Sequence, residues 1–120
     1  MAVKAATALS QPKQTVIVLD IEDWTQSPGE DFAAYCEYWK NAVNIGGYHP
    51  CLYANESTFT EMGSVKGKFN GFWLATGANV TSVPAGYSVV QGTNHLSVCG
   101  ISPTDYDLMN VSAYSTDWTW

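Results

Sequence analysis

Basic side chains are scarce in this 120-residue chain: five Lys and Arg stand against eleven Asp and Glu, a formal net charge of −6. No stretch gathers the basic ones. A nucleic-acid groove needs Lys and Arg to displace counterions along the phosphates, so nucleic acid is not an expected partner. No apolar run is long enough to span a bilayer. The opening MAVKAATALSQPK is too weakly charged and too briefly apolar for a secretory signal. The expectation is a soluble protein made in the cytoplasm, with no membrane partner and no export signal of its own. Three cysteines, Cys36, Cys51 and Cys99, cannot all pair within one chain. Each sits in an apolar segment, which predicts buried free thiols. His49 and Cys51 are near neighbours with nothing else at ligand spacing, and His95 stands alone. Zinc needs three or four ligands, so no metal and no cofactor is expected. Sequons at Asn55, Asn79 and Asn110 carry no weight without a secretory signal.

What is abundant is apolar and aromatic. Hydrophobic residues make up 46% and charged residues 13%, the balance of a folded domain with a real core. The length favours one domain, and there is no low-complexity linker and no internal repeat. Five Trp, seven Tyr and four Phe are many for this length; aromatic rings fill cores but also stack on sugars, bases and partner proteins.

Residues 2–9 are Ala-rich enough for a short helix stopped at Gln11-Pro12. Thr15 to Glu22 reads as a strand buried on both faces, the pattern of a parallel sheet covered by helices. Ser27, Pro28 and Glu30 form a helix-start signature of cap, first-turn proline and capping box. In the helix that follows, Phe32, Tyr35, Cys36, Trp39 and Val43 recur at helical spacing and predict the buried face. Asp31, Glu37 and Lys40 lie largely off that stripe, and Gly46-Gly47 ends the helix. Short strands are expected at 51–54, 71–75, 87–91 and 106–111, with a weaker helical or turn segment at 57–66. Strand, helix, strand, connection, strand describes an α/β fold with a mainly parallel sheet.

Chemistry concentrates at the end of TVIVLDIEDW. Residues i and i+2 of a strand share a face, so Asp20 and Glu22 point the same way, with Val16 and Val18 beneath them. They stand at the carboxyl end of the strand, where α/β barrels and open α/β sheets place their active sites. Two adjacent carboxylates tend to split into one acid and one base, the pair that glycosidic cleavage uses. The plainer role is capping of the next helix, with Asp23 the better residue for it, and D-x-E alone does not identify an enzyme. Tyr53, Trp73 and Gln91 are of the types a sugar site uses, since aromatic faces stack on pyranose rings and amides bond hydroxyl or acetamido groups. Ordinary core packing explains Tyr53 or Trp73 equally well when either is taken singly.

The succession D-I-E-D, G-Y-H-P-C-L-Y-A-N, G-F-W-L-A, V-V-Q-G and D-Y-D-L-M-N resembles the C-terminal part of family-25 glycoside hydrolases, the Chalaropsis-type lysozymes, and of related domains in actinobacteria and their phages. The order of the pieces is more specific than any one of them, and the resemblance runs from the first helix to about Val111. It implies a (β/α) barrel and cleavage of the N-acetylmuramic acid to N-acetylglucosamine bond of peptidoglycan. By the same resemblance Asp20 and Glu22 match the family's D-x-E, with Glu22 the proton donor and Asp20 shaping the electrostatics or orienting an acetamido group. Tyr53 and Trp73 match its strand aromatics, and Gln91 the polar residue of its W-Q-Y strand. Asp107 matches the carboxylate of its closing D-L-N, in which Met109 is here an extra residue.

A complete barrel takes roughly 200 residues or more. The expectation is therefore a partial (β/α) barrel, residues 1–120 forming one domain without the N-terminal strands: about five mainly parallel strands, one long helix and shorter later connections. Such a sheet leaves Thr15–Glu22 and the closing strand as edges, which predicts self-association or docking on another protein. Two functions stay open. One is a glycoside hydrolase of lysozyme type directed at peptidoglycan or another glycan. The other is a non-catalytic derivative of the fold, such as a capsid or tail accessory protein of a phage virion, associated with the particle or released at lysis.

Overall fold

The computed structural model describes residues 1–21, 32–62 and 69–110, with backbone alone at 32, 61, 94–98 and 102–104. Eight elements follow in order: α1 (Ala2–Ala8), β1 (Val16–Asp20), α2 (Phe32–Ile45), β2 (His49–Asn55), α3 (Glu56–Glu61), β3 (Gly71–Ala75), β4 (Val89–Val98) and β5 (Ile101–Met109). The strands form one sheet in the order β1-β2-β3-β4-β5. The first three pairings are parallel and the last is antiparallel. The α/β class and the mostly parallel sheet of five strands are as the sequence implies. The cap residues Ser27, Pro28 and Glu30, and Val111 of the closing strand, lie outside the described residues.

One face of the sheet makes the core. Leu19 and Ile21 follow the β1 line, Leu52 and Ala54 lie on β2, Leu74 on β3 and Val90 on β4, and they meet Cys36 of α2 and Phe59 of α3. Leu52 and Val90 are wholly buried, and each such side chain contributes about 1.5–3 kcal/mol of hydrophobic stabilisation. Phe59 sits edge-on to both Phe72 and Tyr87, at 5.8 and 5.3 Å between centroids. Trp39 of α2 lies parallel to the Phe69 ring at 6.4 Å. The helix is rotated slightly from the stripe the sequence implies. Lys40 is 7% exposed, whereas Tyr35, expected inside, is 45% exposed. The face in use is therefore 36, 39, 40 and 43, and Lys40 belongs to it because its four-carbon stem is apolar. The Lys40 ammonium lies 3.8 Å from Glu37.

The end of α2 is fixed by its glycines. The N–H of Tyr48 reaches the Val43 carbonyl and that of Gly47 reaches Asn44, the bond pattern of a Schellman cap. Gly47 has φ +82, which side chains with a Cβ tolerate poorly. The turn delivers Tyr48 against Val43 and Ala6, seating α1 on the end of α2. Lys13 then donates to the Gly46 carbonyl at 2.8 Å and stands 4.1 Å over the Tyr48 ring.

The last two strands depart most from expectation. The stretch between Gln91 and Tyr106 reads as a connection in the sequence, yet β4 and β5 run through it as a tight hairpin. Val98 pairs with Ile101 across a Cys99-Gly100 turn, and both turn residues have positive φ, 52 and 79, as a type I′ hairpin turn requires. The pattern was obscure for a physical reason: the pairing of β3 with β4 ends at Gln91, and register shifts interrupt the hairpin between Thr93 and Val98. Beyond that point there is no regular two-residue alternation to read. Cys99, expected to be buried, is exposed at the turn, while Cys36 and Cys51 are buried as anticipated.

Gly92 ties this hairpin to the loop before it. A Cβ there would fall 2.7 Å from Val80 Cγ2 and 2.8 Å from the Tyr106 ring carbon Cζ. Without it, Tyr106 crosses over β4, and its hydroxyl accepts from the Val80 N–H at 2.7 Å and lies 2.6 Å from Asn79 Oδ1. Gly92→Ala is expected to cost about 1–3 kcal/mol through overpacking, read as a lower urea midpoint. Cys36 supplies a pH test. Burial raises its thiol from 9.0 to about 11, so the native state keeps a proton that the unfolded chain releases. Stability present below pH 9 is lost as pH rises towards 11, and urea midpoints should fall more steeply over that range in the wild type than in Cys36→Ala.

Candidate functional site

The other sheet face carries the polar groups. In-register pairing aligns Asp20 with Tyr53, Tyr53 with Trp73, and Trp73 with Val89. One step nearer the carboxyl ends, Asn55, Ala75, Gln91 and Asp107 are aligned in the same way. Thr93 and Asp105 pair one step further on. Because alternate residues share a face, all of these project to the same side. Below them, Val16, Val18 and Trp73 pack on Cys51 and Val89, forming an apolar floor.

Hydrogen bonds link the strands across this face. The Tyr53 hydroxyl donates to Gln91 Oε1 at 2.5 Å, leaving both amide hydrogens of Gln91 outside that bond. The Trp73 indole N–H donates to Asp107 Oδ1 at 2.9 Å. Tyr53 meets Trp73 edge to face, with centroids 5.1 Å apart and planes at 75°. A cavity of about 360 Å³ opens here, lined by Val18, Asp20, Tyr53, Trp73 and Gln91. Its volume is at the lower end of the range for small-molecule sites. Asp107 keeps an exposed edge, but partial burial of its carboxyl beside Trp73 raises its pKa above the ordinary 3.8. Asp105 adds to that rise, and the indole N–H opposes it.

Of the six residues singled out in the sequence, Asp20, Tyr53, Trp73, Gln91 and Asp107 come together on this face. Glu22 lies outside the described residues. Asn55, Thr76, Thr93 and Asp105 were missed, although all four line a neighbouring cavity. Thr93 and Asp105 stand two residues from Gln91 and Asp107, so period-two spacing would have found them had 93–105 been read as strand. His49 and Cys51 share the face but gather no further ligands, and among the described residues no group of three or more His, Cys, Asp or Glu is placed to hold a metal ion.

The face is anionic. Asp20, Asp105 and Asp107 are exposed on it, and none of the five described strands carries a Lys or Arg. Aromatic edges, an amide, a hydroxyl and carboxylates around an apolar floor suit a neutral ligand bearing hydroxyl groups. Comparison of the chain with family models, with curated proteins and with solved structures finds no match.

The Asp107 titration is a direct check on this geometry. Followed by carboxyl-carbon NMR, its midpoint should lie above the ordinary value, fall in Asp105→Asn and rise in Trp73→Phe.

Proposed function

We propose that this chain is a glycoside-hydrolase-like domain of lysozyme type, directed at peptidoglycan glycan strands. The observation that carries the reading is the convergence of Asp20, Tyr53, Trp73, Gln91 and Asp107, from five different strands, on one face of the sheet, with Asp20 at the carboxyl end of β1. That is where α/β sheets and barrels position ligand and catalytic groups. The order of β1 to β4, parallel and never reversing, supports descent from a run of barrel strands, and the chain is then a partial (β/α) barrel.

On this reading a sugar ring lies against the Trp73 and Tyr53 rings, with the Gln91 amide meeting its hydroxyl or acetamido group. Glu22, two residues beyond Asp20, is the proton donor to the glycosidic oxygen. Asp20 shapes the field around the developing positive charge. Asp107, held by Trp73, is a further carboxylate at the edge of the site, its pKa raised by partial burial.

A second reading draws on the sheet edges. Among the described residues β1 pairs only with β2, and β5 only with β4. Exposed strand edges recruit other chains, which supports a non-catalytic derivative of the fold docked on a larger assembly such as a virion.

Release of reducing ends from purified peptidoglycan separates the two. A hydrolase releases them, loses more than about 100-fold in rate in Glu22→Gln, and weakens in substrate binding in Trp73→Ala. No release from the wild-type chain would reject catalysis by the chain alone and favour the binding or structural role.

A further inference from the structure

A second cavity of about 330 Å³ adjoins the first, lined in part by Asn55, Thr76, Thr93 and Asp105. Tyr53 and Gln91 line both cavities, so their hydrogen-bonded pair is the ridge between them. The two differ in chemistry: the first has the Trp73 ring and an apolar floor, whereas the second is walled by hydroxyls, amides and one carboxylate.

Its walls are fixed before any ligand arrives. Asn55 caps α3, its Oδ1 accepting from the Thr58 N–H at 2.9 Å and from the Ser57 hydroxyl at 2.7 Å. The Thr76 N–H donates to the Gln91 carbonyl at 3.1 Å, and the Thr93 N–H to the Ala78 carbonyl at 3.2 Å. Thr76 Oγ1 accepts from the Ala78 N–H, so the loop after β3 is laced to β4. A polar pocket held this way loses little entropy on binding.

We infer that this cavity is a second sugar subsite, taking a neutral hydroxyl-bearing ring next to the ring on Trp73, so that the site spans at least two rings. The inference rests on the carbohydrate reading above and adds to it a register of binding and a charge selectivity. Asp105 is on the cavity wall, Asp107 is two residues along β5, and Asp20 lines the adjoining cavity, with no Lys or Arg on any of the five described strands to offset them. A ring bearing a carboxylate is repelled from such a wall. A neutral ring meets only donors and acceptors.

The test uses the whole chain in calorimetric and NMR titrations with N-acetylglucosamine, its neutral β-1,4-linked trimer, and trigalacturonate. The trimer should bind at least about tenfold more tightly than the monosaccharide, a gain of about 1.4 kcal/mol. Thr93→Val should bring trimer affinity down towards that of the monosaccharide. Trigalacturonate should bind more weakly than the neutral trimer, and Asp105→Asn should narrow that gap. Equal affinity for monosaccharide and trimer, with binding still lost in Trp73→Ala, would overturn the second subsite while leaving the carbohydrate reading standing. Trigalacturonate binding as tightly as the neutral trimer would overturn the charge selectivity. No binding of either neutral sugar would remove the carbohydrate reading and the subsite with it.

Discussion

Burial of one sheet face under α2 and α3 is the constraint on which the rest of the molecule depends. Leu19, Leu52, Leu74 and Val90 gain their stabilisation only if their strands stay in register. The same register sends Asp20, Tyr53, Trp73 and Gln91 to the opposite face. A slip of one residue would turn Asp20, Tyr53, Trp73 or Gln91, according to the strand, against the helices and an apolar side chain into the site. The geometry of the candidate site is therefore a by-product of core packing, held with the stability of the core.

The floor of that face is chemically distinct from its rim. Cys51 and Val89 are buried beneath Val16, Val18 and Trp73, while the carboxylates and amides stand nearer the strand ends. Trp73 belongs to both layers: its ring packs on the floor and its indole N–H holds Asp107. Packing and polarity thus meet in one side chain. Its loss would loosen the floor and free the carboxylate together.

The β4–β5 hairpin is what closes the site on its far side. β5 runs antiparallel to the other strands, so it brings Asp107 and Asp105 alongside Gln91 and Thr93 from a segment 16 and 12 residues further along the chain. Tyr106, on the opposite face of β5, reaches across Gly92 to hold the Val80 backbone and the Asn79 side chain. One strand therefore supplies rim groups on one side and a loop anchor on the other.

The sequence by itself determined the α/β class, the mostly parallel sheet, and the position of α2 with its glycine stop, and it singled out Asp20, Tyr53, Trp73, Gln91 and Asp107, which the sheet brings to one face. These follow from local rules: apolar runs, helical spacing and the two-residue period need no partner to be read. Tertiary structure decided the rest. Whether Lys40 or Tyr35 turned inward depended on a small rotation of α2 against the sheet, well within the tolerance of a hydrophobic stripe. The interrupted register of the hairpin, which leaves Cys99 exposed at its turn, and the gathering of Asn55, Thr76, Thr93 and Asp105 all depend on how one strand pairs with another. No local pattern encodes them, because the free energy that fixes such pairing is released only when both strands are present.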